Sequence, residues 1–316
     1  MARPLRLEYP GAWWHITSRG VERRDIFLDD RDRRRFLSLI AQVIPHFHWR
    51  LHAYVLMTNH YHLLVETIDA TLSRGMHKIG SDYATWFNAR HRRVGHLFQA
   101  RFKAHLIDSE EYLLQVARYI VRNPVRARMV PSATAWPWSS ARATAGLVAA
   151  PQWLTTAAVL ERFDGWDSAS AKRLYLNFVE EGDGESPWGN LVGQIVLGSA
   201  DFVARMQQRI DERQRSHEHP RAQRRLRPAT VEDVRHAVQT ITGMDPTKSR
   251  APAARMAFVE LAHSEALATL GDIGAAVGVG PTGVRYLLRR AGEAARTDRD
   301  FCELLECLRF KIKTAN

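Results

Sequence analysis

Cysteine is scarce in this sequence, and long apolar runs are missing. Only two cysteines occur in 316 residues, Cys302 and Cys307, and their spacing fits no zinc or redox motif. We expect both to be small apolar residues of a C-terminal helix in a reducing compartment. No apolar run approaches the roughly 18 residues needed to span a bilayer, and residues 1–11 lack the apolar core of a signal peptide. These absences argue against membrane-spanning and secreted proteins and favour the cytoplasm.

Acidic residues are fewer than basic residues in this sequence. The chain carries 45 Lys and Arg residues against 34 Asp and Glu residues, a formal net charge of +11. Its hydrophobic content of 45% is ordinary for a globular protein. Excess positive charge on such a protein most often serves a polyanion, and nucleic acid is the usual one. Charge alone does not say whether that partner is cut, copied or held.

Apolar periodicity predicts an α+β fold for the first part of the chain. Asp29 or Asp30 can cap a first helix and Asp108 or Ser109 a later one, which must stop near Pro124. The order strand, helix, strand, strand, helix, strand is that of a ferredoxin-like antiparallel sheet. The predicted strands cover 12–20, 48–57, 60–66 and 97–107, and the predicted helices follow residue 30, cover 71–90 and follow residue 108.

Composition divides the chain into three segments. The acidic, glycine-bearing stretch EEGDGESPWG over 180–189 predicts a boundary and gives a first domain over 1–185. A short helix and a basic, aperiodic linker follow over 186–229. Residues 230–316 are predicted to be helical throughout. Within them, LGDIGAAV, the turn GVG and PTGVRYLLRRAG form a helix-turn-helix pattern.

Two short motifs could carry chemistry. His60 and His62 stand two apart on a predicted strand, so both imidazoles face one side, as two ligands of one metal ion need. Tyr119 and Asn123 lie one turn apart on a helix. A tyrosine hydroxyl can attack a phosphodiester polarised by a metal, and an amide oxygen beside two imidazoles suits Mg²⁺ or Mn²⁺. Each motif alone also fits a structural role: a solvated sheet face, a core aromatic or a helix C-cap.

Several longer segments together resemble one known family. They are MARPLRLEYPGAWWHITSRGVERRDIFLDDRDRRRFL, MTNHYHLLVET, GHLFQARFKAHLI, ARYIVRNPVRARMV and WPWSSARA. Residues 1–185 resemble, in register, the REP-associated tyrosine transposases, a branch of the HUH single-strand transposases of bacterial insertion sequences. The resemblance implies the ferredoxin-like fold. It also implies a metal-dependent enzyme that cleaves and rejoins single-stranded DNA at palindromic hairpins through a covalent 5′-phosphotyrosine.

The same resemblance assigns roles to individual residues. It places the two HUH histidines on His60 and His62, with Tyr61 in the middle position where an aliphatic residue is usual. The catalytic tyrosine falls on Tyr119. Asn123 falls on a further metal ligand of related enzymes, so the implied cofactor is Mg²⁺ or Mn²⁺.

Tyr112 is the one rival nucleophile, because it precedes Tyr119 on the same predicted helix. Tyr119 is preferred, since it alone stands with Asn123 before the motif NPV. A protein with one such tyrosine must use two copies, or one copy twice, to complete strand transfer. We therefore expect a monomer or a homodimer.

Basic residues interleaved with aromatic residues flank these motifs, a pattern typical of single-strand binding. Arg90 and His91 belong to this cluster. A solvated basic face is the alternative for any one of its members. We expect the DNA backbone to be held by Arg19, Arg23, Arg24, Arg92, Arg93, Arg101 and Lys103.

The C-terminal part resembles a different module, the helix-turn-helix DNA-binding domain of the replication initiator DnaA. The segment ARMAFVELAHSEALATLGDIGAAVGVGPTGVRYLLRRA carries the match, although the ATPase pattern GxxxxGK[ST] is absent. The resemblance implies that Thr282, Arg285 and Tyr286 lie near the start of the recognition helix. Arg289 and Arg290 would then approach the phosphates of adjoining duplex DNA. A helical bundle that only packs on the first domain is the alternative.

Three functions compete. The favoured one is an HUH transposase of the REP-associated type, working in the cytoplasm on the nucleoid. A non-catalytic DNA-binding regulator would be expected to have lost at least one of the four candidate site residues, and all four are present. A rolling-circle nickase shares the HUH chemistry, but the context RYIVRNPV favours the transposase branch.

Overall fold

The computed structural model describes residues 6–163, 169–181, 186–212, 229–248, 252–266 and 268–314. The chain separates into two compact units that divide between Arg215 and Ser216. Within the described ranges, no helix has both the length and the apolar character needed to cross a bilayer. Residues 182–185 of the predicted boundary stretch 180–189, and residues 213–228 of the predicted basic linker, lie outside the described residues.

A four-stranded antiparallel sheet forms the centre of the first unit. The strand order is β2-β3-β1-β4, and each neighbouring pair is antiparallel. Two helices connect strands across the sheet, and a third follows the last of the four strands. This is the predicted ferredoxin-like α+β arrangement, which is confirmed. The elements are β1 (Ala12–Arg19), α1 (Asp30–His46), β2 (Trp49–Leu56), β3 (His60–Thr67), α2 (Leu72–His91), β4 (Lys103–Ile107) and α3 (Ser109–Val121).

β4 begins at residue 103, later than the predicted residue 97. The Gln99 amide still donates to the Arg19 carbonyl at 2.9 Å, at the end of β1. Residues 100–102 then leave the ladder, and the Phe102 carbonyl accepts instead from Arg6 Nη2 at 2.9 Å. Arg101 is one of these three residues, so it lies in the connection before β4 rather than on the strand.

A fifth strand extends the sheet from a segment predicted to lie outside the first domain. β5 (Val196–Leu197) pairs in parallel with β4, and a single 3-10 turn over Pro187–Asn190 contacts α3. Residues 186–212 therefore belong with the sheet. The remaining helices of the unit are α4 (Asn123–Arg126), α5 (Ala141–Thr144), α6 (Ala157–Leu160), α7 (Ala169–Glu180) and α8 (Ala200–Asp211).

The two faces of the sheet have different partners. On one face, Tyr61 of β3 is 1% exposed and packs against Phe36 of α1, with ring centroids 4.6 Å apart. Burial raises the pKa of the Tyr61 hydroxyl. On the other face, Leu64 of β3 lies in one apolar cluster with Val116 and Ile120 of α3. Because side chains alternate along a strand, His60 and His62 share the face of Leu64 and lie on the α3 side.

Asp32, in the first turn of α1, is a fully buried carboxylate that ties α1 to α2. Its Oδ2 accepts from the Leu28 amide at 2.7 Å, and its Oδ1 pairs with Arg90 Nη1 and, at 2.9 Å, with His91 Nε2. Arg90 also pairs with Asp29 Oδ2 at 2.6 Å. These bonds occupy Arg90 and His91 with carboxylates of their own unit, and their place among the DNA-holding residues stays a prediction. A buried charge must be paired in this way.

Replacing Asp32 with alanine is expected to lower the free energy of unfolding by about 3–5 kcal/mol, because the Leu28 amide loses its acceptor and Arg90 and His91 lose the buried carboxylate that joins them to α1. The matched control is Asp30→Ala. That carboxylate is 60% exposed and contacts only Arg33 at 3.7 Å, so we expect a cost below about 1 kcal/mol. Chemical denaturation followed by circular dichroism measures both. Equal losses in the two variants would contradict the buried-pair explanation.

The second unit is entirely helical in its described residues. Its core is formed by buried side chains of several helices, including Val238, Phe258, Val284 and Leu308. The helices are α9 (Val231–Thr242), α10 (Pro252–Ser264), α11 (Leu270–Val277), α12 (Pro281–Thr297) and α13 (Arg299–Thr314). The predicted all-helical segment is confirmed.

The turn between α11 and α12 depends on glycine at two positions. Gly278 ends α11 with φ of 68°, a left-handed conformation that costs glycine little. A Cβ on Gly274 would lie 2.4 Å from the Val279 carbonyl oxygen, so the helix and the turn approach too closely for a side chain. This turn joins the 8-residue α11 to the 17-residue α12, and the helix-turn-helix function of the pair stays a prediction.

Candidate active site

Four imidazoles lie on the α3 side of the sheet. The strand register sets His62 opposite Thr17, and it sets His15 opposite His105. The ring centroid of His62 lies 5.1 Å from that of His60 and 5.0 Å from that of His15, while His15 and His105 are 5.7 Å apart. Three strands therefore contribute histidines to one cluster.

Tyr119 lies against this cluster from α3. Its ring is edge-on to His62 at 5.9 Å and to His15 at 6.1 Å, and it also contacts Trp188 at 5.2 Å. Tyr119 is partly buried. The packing of α3 on the sheet thus brings the predicted nucleophile to the predicted HUH pair.

The rival tyrosine has a different environment. Tyr112 is 9% exposed and belongs to the apolar cluster beneath α3. Its hydroxyl accepts a hydrogen bond from Asn190 Nδ2 at 3.4 Å. Tyr112 lies two helical turns before Tyr119 and makes no ring contact with a histidine in the part of the chain that the structure describes.

Asn123 begins α4, one turn after Tyr119. Its Nδ2 donates to the Tyr119 carbonyl at 2.8 Å and to the Ile120 carbonyl at 3.3 Å. This arrangement fixes the amide and leaves Oδ1 as the atom that can serve as a ligand. Among the described residues, Asn123 bonds to its own helix rather than to either histidine.

Burial keeps the two HUH histidines neutral. Desolvation first, and the nearby Arg19 guanidinium second, lower the pKa of His60 to about 4. Desolvation also lowers the pKa of His62 well below its ordinary value, with His60 and Arg19 adding to the effect. A metal ligand must present an unprotonated nitrogen. Both imidazoles therefore meet this requirement at neutral pH.

The imidazole nitrogens of His60 and His62 and the amide oxygen of Asn123 are chemically suited to bind a divalent cation. The second nitrogen of each HUH imidazole has a partner, since His60 Nδ1 lies 2.7 Å from Asn59 Oδ1 and His62 Nδ1 lies 2.8 Å from His15 Nε2. Partners of this kind orient metal-binding imidazoles. The described residues contain no group of three or more His, Cys, Asp or Glu side chains that could hold a metal. The predicted donor set is of another kind, because its third member is an amide.

A family model for IS200-like transposases matches residues 9–123. That range contains the whole four-stranded sheet, both HUH histidines and Tyr119. Over these residues the first unit is similar to the IS200-like transposases.

Comparison with solved structures finds a REP-associated tyrosine transposase bound to a REP hairpin. That protein is 21% identical to this chain, over 49% of this chain and 92% of that one, with a TM-score of 0.41. No curated protein matches the chain significantly.

Three of the seven predicted DNA-holding residues of the first unit lie near the predicted HUH pair. Arg19 is exposed and lies opposite His60, and Lys103 is exposed and lies opposite Thr17. Both therefore share the face of the HUH pair. The Arg23 carbonyl accepts from Asn59 Nδ2 at 2.9 Å, directly before β3.

The other four predicted cations are placed less directly. Arg24 is exposed but pairs with Glu22 at 2.6 Å. Arg92 ends α2 in a left-handed conformation, and the Arg93 guanidinium lies 5.6 Å from the Phe87 ring. Arg101 is exposed in the connection before β4. None of the four contacts a site histidine in the described residues.

The candidate site also contains residues that sequence reasoning missed. His15 and His105 belong to the histidine cluster, Trp188 packs on His15 at 4.5 Å, and the Arg126 guanidinium lies 5.0 Å from the Tyr119 ring. The parity of β1 could have placed His15 on one face with Arg19. No sequence pattern could have brought Trp188 to the site, because it comes from a turn more than 60 residues after Tyr119.

In the second unit, the predicted DNA-contacting residues lie together on α12. That helix buries Val284 and Ala291. The Arg289 and Arg290 guanidinium groups lie 5.6 and 6.0 Å from the Tyr286 ring, which is 50% exposed. All five predicted residues are exposed: Thr282, Arg285, Tyr286, Arg289 and Arg290.

Proposed function

We propose that the chain is a metal-dependent single-strand endonuclease and strand transferase that acts on REP-type palindromic hairpins through a 5′-phosphotyrosine on Tyr119. The observation that carries the proposal is the contact of the Tyr119 ring with His62, whose ring also contacts His60. A nucleophile and two neutral imidazoles meet there beside exposed arginines. The REP-type target rests on the sequence motifs of the first domain.

In this mechanism His60, His62 and the Asn123 Oδ1 would hold Mg²⁺ or Mn²⁺, and the bound cation would supply Lewis-acid polarisation of the scissile phosphate. The Tyr119 oxygen attacks phosphorus and loses its proton. The bond to the 3′ oxygen breaks, and that oxygen takes up a proton to give a free 3′-OH. A 3′-OH of another strand then attacks the phosphotyrosine and releases Tyr119, so no ATP is required.

Two further features of the site suit this reaction. The Arg126 guanidinium lies close to the Tyr119 ring and can stabilise the negative charge that develops on the phenolic oxygen and the phosphate. Trp188 covers one side of Tyr119, which limits the directions from which a phosphate can approach. Each chain supplies one tyrosine, so strand transfer needs two copies or two successive uses of one copy.

A denaturing-gel assay tests the proposal. Labelled single-stranded DNA that contains hairpins from around the protein's own gene is incubated with the full chain and Mg²⁺, Mn²⁺ or a chelator. We expect a protein–DNA band that survives denaturation and requires the metal. Clear binding without any such band, across several hairpins and both strands, would favour the non-catalytic regulator. Cleavage that needs no hairpin would favour the rolling-circle nickase.

We further propose that the second unit binds the duplex DNA that adjoins the hairpin, with α12 as its recognition helix. The specific observation is that five residues of one helix face are exposed and include three arginines, while the opposite face is buried. An arginine-rich helix after a tight turn is what a major-groove contact needs. This role would keep the protein on the nucleoid in the cytoplasm.

Removing residues 228–316 is expected to weaken binding to a hairpin with flanking duplex, and to weaken it much less for the isolated hairpin. Arg290→Ala is expected to cost affinity and to reduce the salt slope by about 1, as the loss of one phosphate contact does. The matched control is Arg299→Ala on α13, whose guanidinium pairs with Glu303 at 2.9 Å. Fluorescence anisotropy at several salt concentrations measures all of these. Unchanged affinity after the deletion would show that the unit is only a packing module.

A further inference from the structure

His15 is a buried histidine beside the HUH pair to which the proposed mechanism gives no role. Its side chain is 3% exposed, and its Nε2 lies 2.8 Å from Nδ1 of His62. His15 belongs to β1 and His62 to the neighbouring β3, so the bond joins two strands of the sheet. A buried imidazole that contacts a metal-binding imidazole decides which nitrogen of its partner carries the proton.

We propose that His15 is a positioning residue that holds His62 with its proton on Nδ1 and its Nε2 lone pair available to the divalent cation. This inference rests on the proposed metal site of His60, His62 and Asn123. His15 itself would contact neither the metal nor the DNA.

The hydrogen bond allows two arrangements, and only one of them suits a ligand. If His62 Nδ1–H donates to His15 Nε2, the other nitrogen of His62 is unprotonated and can bind a metal. If His15 Nε2–H donates to His62 Nδ1, the proton of His62 lies on Nε2 and blocks it. The pair therefore has a ligand-competent state and an incompetent state that differ only in proton placement.

The surroundings of His15 hold its ring in place for this role. Its ring packs on Trp188 at 4.5 Å and stacks on His105 at 5.7 Å. The bond to His62 is the one hydrogen bond that the described His15 side chain makes. In the ligand-competent state the proton of His15 lies on its Nδ1, which is buried and, within the described residues, has no hydrogen-bond partner. That unpaired N–H is a cost of holding His62 in the form that can bind a metal.

Three substitutions separate this role from simple packing. His15→Phe keeps a ring against Trp188 but removes the bond to His62. His15→Gln supplies an amide oxygen that can accept from His62 Nδ1–H. His105→Phe is the matched control, because His105 lies in the same stack but does not touch His62 through a hydrogen bond.

The first readout is Mn²⁺ affinity of the full chain without DNA, measured by the loss of the free-ion electron paramagnetic resonance signal. We expect His15→Phe to weaken Mn²⁺ binding about 10–100-fold, as the loss of an orienting partner does, and His15→Gln and His105→Phe to stay within about threefold of wild type. DNA affinity in chelator should be unchanged in all three. Equal Mn²⁺ affinity in wild type and His15→Phe would overturn the proposal.

The second readout needs no variant. A long-range ¹⁵N–¹H spectrum of wild type at neutral pH should show His62 protonated at Nδ1 and bare at Nε2. Protonation of His62 at Nε2 would overturn the role of His15 even if His15→Phe failed to fold.

A His62→Ala variant distinguishes a failure of the proposed metal site from a failure of the proposed role of His15. If it binds Mn²⁺ as wild type does, the proposed metal site is wrong. If it loses affinity while His15→Phe does not, the metal site stands and only the positioning role of His15 fails.

Discussion

Replacing Tyr119 with phenylalanine is expected to abolish the covalent protein–DNA product and to lower the cleavage rate by at least about 10⁴-fold, as the loss of a nucleophile does. The change removes one oxygen from a partly buried ring that contacts His62, His15 and Trp188. Those ring contacts remain in phenylalanine. DNA affinity should therefore stay within about threefold of wild type, because a single hydroxyl contributes about 1 kcal/mol or less to binding.

Tyr112→Phe is the matched control on the same helix. It loses only the hydrogen bond from Asn190 Nδ2, and we expect an unfolding cost of about 1 kcal/mol with the covalent product retained. A denaturing gel with the labelled hairpin reports both variants side by side. Retention of the product in Tyr119→Phe together with its loss in Tyr112→Phe would move the nucleophile to Tyr112.

Replacing His60 with alanine is expected to reduce cleavage by about 10²-fold at ordinary metal concentration, because a ligand of the proposed cation is lost. Raised Mn²⁺ should restore part of the activity, since the weakened site fills again by mass action. The sheet should be little affected, because His60 is the first residue of β3 and is only partly buried. Circular dichroism and DNA affinity in chelator serve as checks on the fold.

His48→Ala is the matched control for histidine loss. Its side chain is 69% exposed and pairs with Asp69 at 2.8 Å, at the opposite end of the sheet from His60. We expect cleavage and its metal dependence to match wild type. If His60→Ala loses activity that Mn²⁺ at any concentration fails to restore, His60 acts by some route other than metal binding.

The balance between the candidate functions depends on how the site is built. His62 is buried, His60 is partly buried, and desolvation keeps both imidazoles neutral. The residue that contacts His62 is a tyrosine on a helix that packs on an apolar cluster. Buried titratable groups with strongly shifted pKa values beside a potential nucleophile are typical of catalytic sites. A protein that only binds DNA gains nothing from holding such groups away from water. This arrangement is the reason that we favour the enzyme over the regulator.

The cations around the candidate site fall into two groups, one paired with carboxylates and one exposed. Arg90 and His91 are bound to the buried Asp32, whereas Arg19 and Lys103 are exposed on the face that carries His60. Sequence reasoning could not separate these two groups, since all four are cations next to aromatic residues. Only the carboxylates that fold against them tell the structural cations from those available to a phosphate.

The sequence by itself determined the order of strands and helices and hence the ferredoxin-like sheet, because those elements follow from local periodicity and capping. It also determined that His60 and His62 share a face, since side chains alternate along a strand. The same local rule predicts that Tyr119 and Asn123 lie one turn apart. Properties of this kind need only the geometry of a single element.

Only the tertiary structure decided which residues of different elements contact one another. The strand register brought His15 and His105 to the HUH pair, the packing of α3 brought Tyr119 rather than Tyr112 to His62, and the turn that bears Trp188 joined the same site. Each of these contacts joins residues on separate elements that are far apart in the chain. Their placement depends on how whole faces pack, because burial of apolar area acts on the assembled sheet and helices and leaves no local pattern in the sequence.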